Sequence, residues 1–223
     1  MLPRGQLVRN MVLVGDSLQT TGYIAESMEV NSNYRWISRG QKWGSGAKGT
    51  RHQGDPGWTY KLYDENVGSP FAPGNIESYV AEIGVTPHEV VFFLGLNDCF
   101  NANPANPDPA IDIMFGHADI VHGRWASAFP GVRKVVCTIP EPSSDDASWA
   151  FRYPAGPTQV EWNTIRARLN ERIYAKWSNV IELHCDPVAG YDATFAIHPN
   201  RVGAVEIGSY MAAGLTSIVG PGR

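Results

Sequence analysis

Met11-Val12-Leu13-Val14-Gly15-Asp16-Ser17 is the stretch that decides the fold. Four successive apolar residues with no polar alternation read as a strand covered on both faces, as in a parallel sheet lying between helices. The run stops at a glycine, which allows a sharp backbone turn, and then at an acid and a hydroxyl. Ser17 is thereby carried at the carboxyl end of a core strand, the edge where open parallel sheets bind ligands.

A serine hydroxyl becomes a nucleophile only with a base and with donors for a developing oxyanion. Three later stretches offer them. Arg51-His52-Gln53-Gly54-Asp55-Pro56-Gly57-Trp58-Thr59 holds a Pro-Gly turn, with an unhindered backbone N–H at Gly57. Leu94-Gly95-Leu96-Asn97-Asp98 follows the apolar run Val90-Val91-Phe92-Phe93 and brings the uncharged amide of Asn97. Ala196-Ile197-His198-Pro199-Asn200 brings an imidazole that titrates near neutral pH.

With Gly15-Asp16-Ser17, these stretches resemble, in order and over nearly the whole chain, the four sequence blocks of the SGNH hydrolase superfamily, also called GDSL esterases. They do not form a Gly-x-Ser-x-Gly elbow, because Ser17 is followed by Leu18 and Gln19. The resemblance implies a flavodoxin-like three-layer α/β/α sandwich, with Ser17 as nucleophile and His198 as general base. It also implies an oxyanion hole made by the backbone amides of Ser17 and Gly57 and the side chain of Asn97. No metal and no organic cofactor is implied.

One position departs from the pattern. The acid that the family carries three residues before the histidine is Phe195 here, and the nearest upstream acid is Asp192. Asp192 completes a triad only if its loop folds back. Otherwise a backbone carbonyl or a water takes Nδ1 of His198.

The Gly-x-x-Gly-Trp-Thr form of residues 54–59 resembles bacterial members that act on acylated carbohydrates. The implied reaction is therefore deacetylation of a sugar or polysaccharide ester through a covalent acyl-enzyme. Two alternatives stand beside it. One is a lipase or lysophospholipase of the same superfamily; the other is a non-catalytic carbohydrate-binding protein on this scaffold, suggested by Phe195 in place of the acid.

The rest of the chain supports one domain over its 223 residues. Residues 19–30, 76–84, 110–130, 158–177 and 202–219 read as helices, and residues 11–14, 34–38, 90–94, 134–139 and 180–183 as strands. Their alternation predicts a five-stranded parallel sheet. Ile111, Met114, Ala118, Val121 and Trp125 form one helical stripe, and Ile165, Leu169, Ile173 and Trp177 another. Asp108-Pro109 reads as a helix cap, and Thr158 with Glu161 as a capping box. Arg166, Arg168 and Arg172 then fall on a solvated face. Gly203, Gly208 and Gly214 reduce the expected regularity of the last helix.

Residues 39–57 read as a long surface loop with Trp43 and Trp58 available as a binding wall, and residues 101–109 as a rigid rim of the pocket. Residues 140–157 read as a loop that leaves a core strand and carries Trp149, Phe151, Arg152 and Tyr153. Trp58, Trp149 and Tyr153 are the candidate substrate contacts, with anchoring of the loop itself as the alternative role for the aromatic residues of 140–157. His117 and His122, five apart, are wrongly spaced for adjacent ligands on one helix face and read as surface or packing residues; His184, on a strand end, is a weaker base candidate because no hydroxyl motif is paired with it.

A net charge of −4 gives no electrostatic footprint for nucleic acid. No apolar run approaches a membrane span, and residues 1–10 lack the apolar core of a signal peptide. The compartment stays open between the cytoplasm and a secreted protein without its leader. Cys99, Cys137 and Cys185 show no metal-ligand spacing and read as small buried hydrophobes. The partner implied is a small-molecule or polysaccharide ester, and oligomeric state is not readable.

Overall fold

The computed structural model describes residues 7–33 and 35–220. The first strand, β1 (Arg9–Gly15), holds Met11, Val12, Leu13 and Val14 fully buried, as a strand with helices on both faces must. It is followed by a single 3₁₀ turn (Ser17–Gln19) and by α1 (Tyr23–Asn31). Then come β2 (Trp36–Arg39), β3 (Lys42–Trp43) and β4 (Arg51–Gly54), the helices α2 (Tyr60–Glu65) and α3 (Ile76–Ile83), and β5 (Glu89–Phe92). The second half contains α4 (Leu96–Cys99), α5 (Asp108–Ala128), β6 (Arg133–Cys137), α6 (Asp146–Arg152), α7 (Gln159–Lys176), β7 (Val180–Ile181) and α8 (Arg201–Val219).

The sheet has seven strands where the sequence predicts five, and the difference lies beside β1. One flank of β1 is shared end to end by two short parallel strands. β2 pairs along its beginning, from Arg9 opposite Trp36 to Val12 opposite Arg39, and β4 along its end, with Val14 opposite Gln53 and Gly15 opposite Gly54. β3 returns antiparallel on β4. On the other flank β5, β6 and β7 follow in parallel register. The chain therefore changes direction across the sheet at β1, and the crevice at such a switch point opens at the strand's carboxyl end, where Ser17 sits.

Helices flank the sheet in two packed groups. α1 lies against α8, and α2, α3, α4 and α7 contact α5. Both predicted stripes are buried apart from half-buried Trp177 at the end of α7. The capping box of Thr158 and Glu161 is formed. Asp108 is the first helical residue of α5 rather than its cap, which is Pro107; its carboxylate instead receives Arg168 and Arg172 from α7 at 2.8 and 2.9 Å. Arg168 and Arg172, read as a solvated face, thus form part-buried ion pairs that tie α5 to α7, while Arg166 turns to Glu141 and the Ile139 carbonyl.

α8 runs unbroken for 19 residues despite its glycines. A side chain at Gly208 would meet the carbonyl of Ile24, and one at Gly214 would meet Ile181, so these glycines let α8 approach α1 and β7 closely. By length and composition alone α8 is long and apolar enough to cross a membrane, where the sequence reading found no apolar run approaching a span. Its buried face, including Ile207, Met211 and Leu215, packs into the core. The three cysteines are buried free thiols.

Two other readings change. Residues 39–57 contain β3 and β4, so this stretch is part of the sheet. Residues 140–157 contain α6, whose first turn is capped by Asp145 accepting from the amides of Ala147 and Ser148. Tyr34, placed in the second predicted strand, and residues 1–6 of the leader reading lie outside the described residues.

Candidate active site

Ser17 is the first residue of the 3₁₀ turn that ends β1. Asp16 caps that turn, its Oδ1 accepting from the Leu18 amide at 3.0 Å. Gly15 keeps an ordinary φ, so a left-handed turn is not what selects glycine here. A Cβ at Gly15 or at Gly54 would collide with the side chain of Gln19, which is buried beneath the turn. The glycine is required for close packing under Ser17.

Asn97 and Gly57 are gathered beside this turn by hydrogen bonds. Gly95, at φ 117°, turns the chain from β5 into α4 and presents Asn97. The Asn97 Nδ2 donates to Asp16 Oδ2 at 3.1 Å and to the Trp58 carbonyl at 3.1 Å. Residues 55–58 form a β-turn closed by the Trp58 amide on the Asp55 carbonyl at 3.1 Å, with Gly57 at φ 75°. Pro followed by a glycine at positive φ is the type II pattern. Among the described residues, the amides of Ser17 and Gly57 have no hydrogen-bond acceptor and are free to donate.

His198 comes from the loop between β7 and α8. That loop is pinned by the Asn200 amide on the Gly190 carbonyl at 2.8 Å, by the Ser143 amide on the Ala196 carbonyl at 2.9 Å, and by a bridge between Tyr191 and Pro199. The result is a contact of 2.8 Å between Ser17 Oγ and His198 Nε2. In that arrangement Nε2 accepts the hydroxyl proton, which is the geometry of a serine and its general base.

The other ring nitrogen has no acid among the described residues. His198 Nδ1 is buried with no hydrogen-bond partner among the described residues. Asp192 is exposed, and its Oδ1 receives only a long 3.4 Å bond from Asn200 Nδ2. The triad pairing offered for Asp192 is therefore not formed, because the loop turns its carboxylate toward Asn200 and solvent. The ring of Phe195 stands edge-on to His198, with centroids 6.1 Å apart, and the Arg152 guanidinium lies 5.8 Å from the Phe195 centroid.

This environment sets the titration of the site. Burial, and after it the charge of Arg152, pushes the His198 pKa below its ordinary 6.5. Burial pushes Asp16 up to about 7 against the opposing pull of the Leu18 amide. Asp98, whose carboxylate accepts from the Tyr60 amide, is raised to about 6, again by burial.

Ser17 and His198 open into a cleft of about 490 Å³ whose walls include Tyr23, Pro56, Arg152, Phe195 and Arg201. The three aromatic residues favoured from sequence are not among them. Trp149 is buried, its indole N–H donating to the Ser143 carbonyl at 2.9 Å, and it anchors α6. Tyr153 packs on Phe100 and Trp149, and Trp58 packs edge-on against Tyr63. The 101–109 loop is also absent from the walls. Arg201 was not singled out from sequence, although its place directly after His198-Pro199-Asn200 is a usable signal.

The other histidines lie away from this cleft. His117 Nδ1 is 2.8 Å from Asp64 Oδ2, and Glu65 completes a group of potential metal ligands, but Asp64 also holds Arg124 at 2.5 Å. His122 packs among Phe92, Tyr60 and Trp177.

No protein-family profile and no curated protein matches the chain. Solved structures do. A carbohydrate esterase family 3 protein from Talaromyces cellulolyticus aligns at a TM-score of 0.61 and 18% identity, over 95% of this chain and 98% of that one. A protein described as an arylesterase, from Agrobacterium tumefaciens, aligns at 0.62 and 17%, over 95% and 100%. A carbohydrate acetylesterase family member from Sinorhizobium meliloti aligns at 0.58 and 15%, over 95% and 99%. The chain has the fold of these proteins, a mostly parallel sheet flanked by helices.

Proposed function

We propose that this chain is a single-domain serine esterase. The observation that carries the reading is the 2.8 Å contact between Ser17 Oγ and His198 Nε2 at the open end of β1. Ser17 Oγ attacks the ester carbonyl carbon while His198 Nε2 takes the hydroxyl proton. The carbonyl oxygen becomes an oxyanion that accepts from the Ser17 and Gly57 amides and from Asn97 Nδ2. Collapse expels the alcohol, protonated by His198, and leaves an acyl-Ser17. Water, deprotonated by the same imidazole, attacks the acyl carbon and releases the carboxylate and free Ser17. No step calls for a metal or cofactor.

Two features bear on this scheme. Asn97 Nδ2 has both hydrogens engaged in the resting site, so donation to the oxyanion requires the Trp58 or Asp16 bond to yield or be shared. The imidazolium forms without an acid on Nδ1, which makes Ser17 and His198 a dyad. The absence of that acid also favours a second reading, a binding protein on an inactive esterase scaffold.

Deacetylation of a carbohydrate is the substrate reading. It is supported by the Gly-x-x-Gly-Trp-Thr block and by the likeness to proteins described as carbohydrate esterases. The test is turnover of 4-nitrophenyl acetate and of acetylated sugars by the wild type and by Ser17→Ala. Hydrolysis that disappears in a folded Ser17→Ala protein supports the esterase. Binding of sugars with no hydrolysis by the wild type supports the inactive scaffold.

A further inference from the structure

Two arginines line the cleft from different elements, Arg152 at the end of α6 and Arg201 at the start of α8. Each is laid along an aromatic ring. The Arg152 Cζ is 5.8 Å from the centroid of Phe195, and the Arg201 Cζ is 5.1 Å from that of Tyr23. Stacking of this kind orients a guanidinium while leaving its N–H groups at the ring's edge free to donate.

Several arginines outside the cleft are paired with acids, although Arg39 and Arg51 donate to the neutral Asn10 side chain and Gly40 carbonyl instead. Arg124, Arg166, Arg168 and Arg172 all lie within 4.0 Å of a carboxylate. Arg152 and Arg201 have no such partner among the described residues, and the one acid in the cleft wall, Asp192, is 3.4 Å from Asn200 instead. The cleft thus carries two cations against one anion, in a protein whose net charge is −4.

We propose that Arg152 and Arg201 form an anion-recognising subsite, and that the ester cleaved at Ser17 is an acetylated acidic sugar bearing a carboxylate. This deepens the esterase reading and rests on it. A carboxylate matches the planar fork of a guanidinium, and the stacked rings would flank the sugar. The position of Arg152 adds a consequence. Its charge opposes the imidazolium that His198 must become, with no acid on Nδ1 to offset it. A substrate carboxylate seated on Arg152 screens that charge during the attack, so an anionic ester gains in turnover as well as in binding.

The experiment compares kcat/KM for an O-acetylated methyl glucoside and the matching O-acetylated methyl glucuronoside, which differ only in –CH₂OH or –COO⁻. 4-Nitrophenyl acetate is run beside them. The expected result is a uronoside preference of tenfold or more at low ionic strength, shrinking as salt rises. Arg152→Gln and Arg201→Gln should each cut the preference at least threefold, with Arg152→Lys retaining more of it. The preference is a ratio, so a partly folded variant still reports it. Hydrolysis of 4-nitrophenyl acetate with a ratio near one, or a ratio unchanged in both glutamine variants, would overturn the subsite and leave the esterase standing. Failure to hydrolyse any of the three esters would overturn both.

Discussion

His198 is held by Ser17 on one side and by no acid on the other, and this asymmetry yields the most specific expectations. A side chain that supports the imidazolium through Nδ1 is worth about 10³ to 10⁴-fold in kcat in a serine triad. Asp192 is exposed and turned to Asn200, so Asp192→Ala should cost less than about tenfold. A loss near 10³-fold would mean that the carboxylate reaches Nδ1 during turnover. Asn97 carries more. Removing one oxyanion donor costs on the order of 10² to 10³-fold in kcat, and Asn97→Ala should do so with little change in KM. Because Nδ2 also ties Asp16 to Trp58, the same variant should melt at a lower temperature than wild type. A lower melting temperature with normal turnover in the folded fraction would reduce Asn97 to a structural tie.

Elements differ in how far their sequence announces them. β1, β5 and β6 are legible because valine-rich runs need cover on both faces. α5 and α7 are legible because apolar residues recur at helical spacing, and α7 carries its own capping box. β3 and β4 are not legible: Lys42-Trp43 and Arg51-His52-Gln53-Gly54 have neither apolar periodicity nor length. His52 and Gln53 are buried where β4 sits between β3 and the end of β1. α6 is hidden by the surrounding prolines, and its aromatic residues serve the loop more than the cleft. Trp149 shows this most clearly. Trp149→Phe removes the donor to the buried Ser143 carbonyl and should destabilise the protein by about 1–3 kcal/mol, read from a denaturant melt. The order of the four blocks made the meeting of Ser17, Asn97 and His198 legible, since each ends a strand or opens a helix at the same sheet edge. The walls of the cleft were not, because they depend on which way loop side chains point.

Over the whole molecule, buried ionisable groups give stability two opposed dependences on pH. Asp16 and Glu29 are raised to about 7 and Asp98 to about 6, all chiefly by burial. Between the ordinary carboxylate value and the raised one, the folded protein holds protons that the unfolded chain has released. These groups therefore lower stability as pH rises through that window. His52, His122 and His198 are depressed by burial, so the folded protein holds fewer protons than the unfolded chain below pH 6.5, and stability is lost as pH falls. Asp16→Asn removes the cost of ionising a buried carboxylate while keeping its shape. The melting temperature of the variant minus that of wild type should grow from pH 5 to pH 8, by an amount equivalent to a few kcal/mol at most. A difference that stays level or shrinks would show that Asp16 is ionised in the fold at little cost.

The proposed acyl-enzyme at Ser17 underlies the expectations for turnover, and intact-mass analysis after treatment with a 4-nitrophenyl phosphonate tests it most directly. The phosphonate should add once per chain, at Ser17, with stoichiometric loss of esterase activity, and should fail to add to Ser17→Ala. Addition at another residue, or an active protein that resists the reagent, would contradict the assignment.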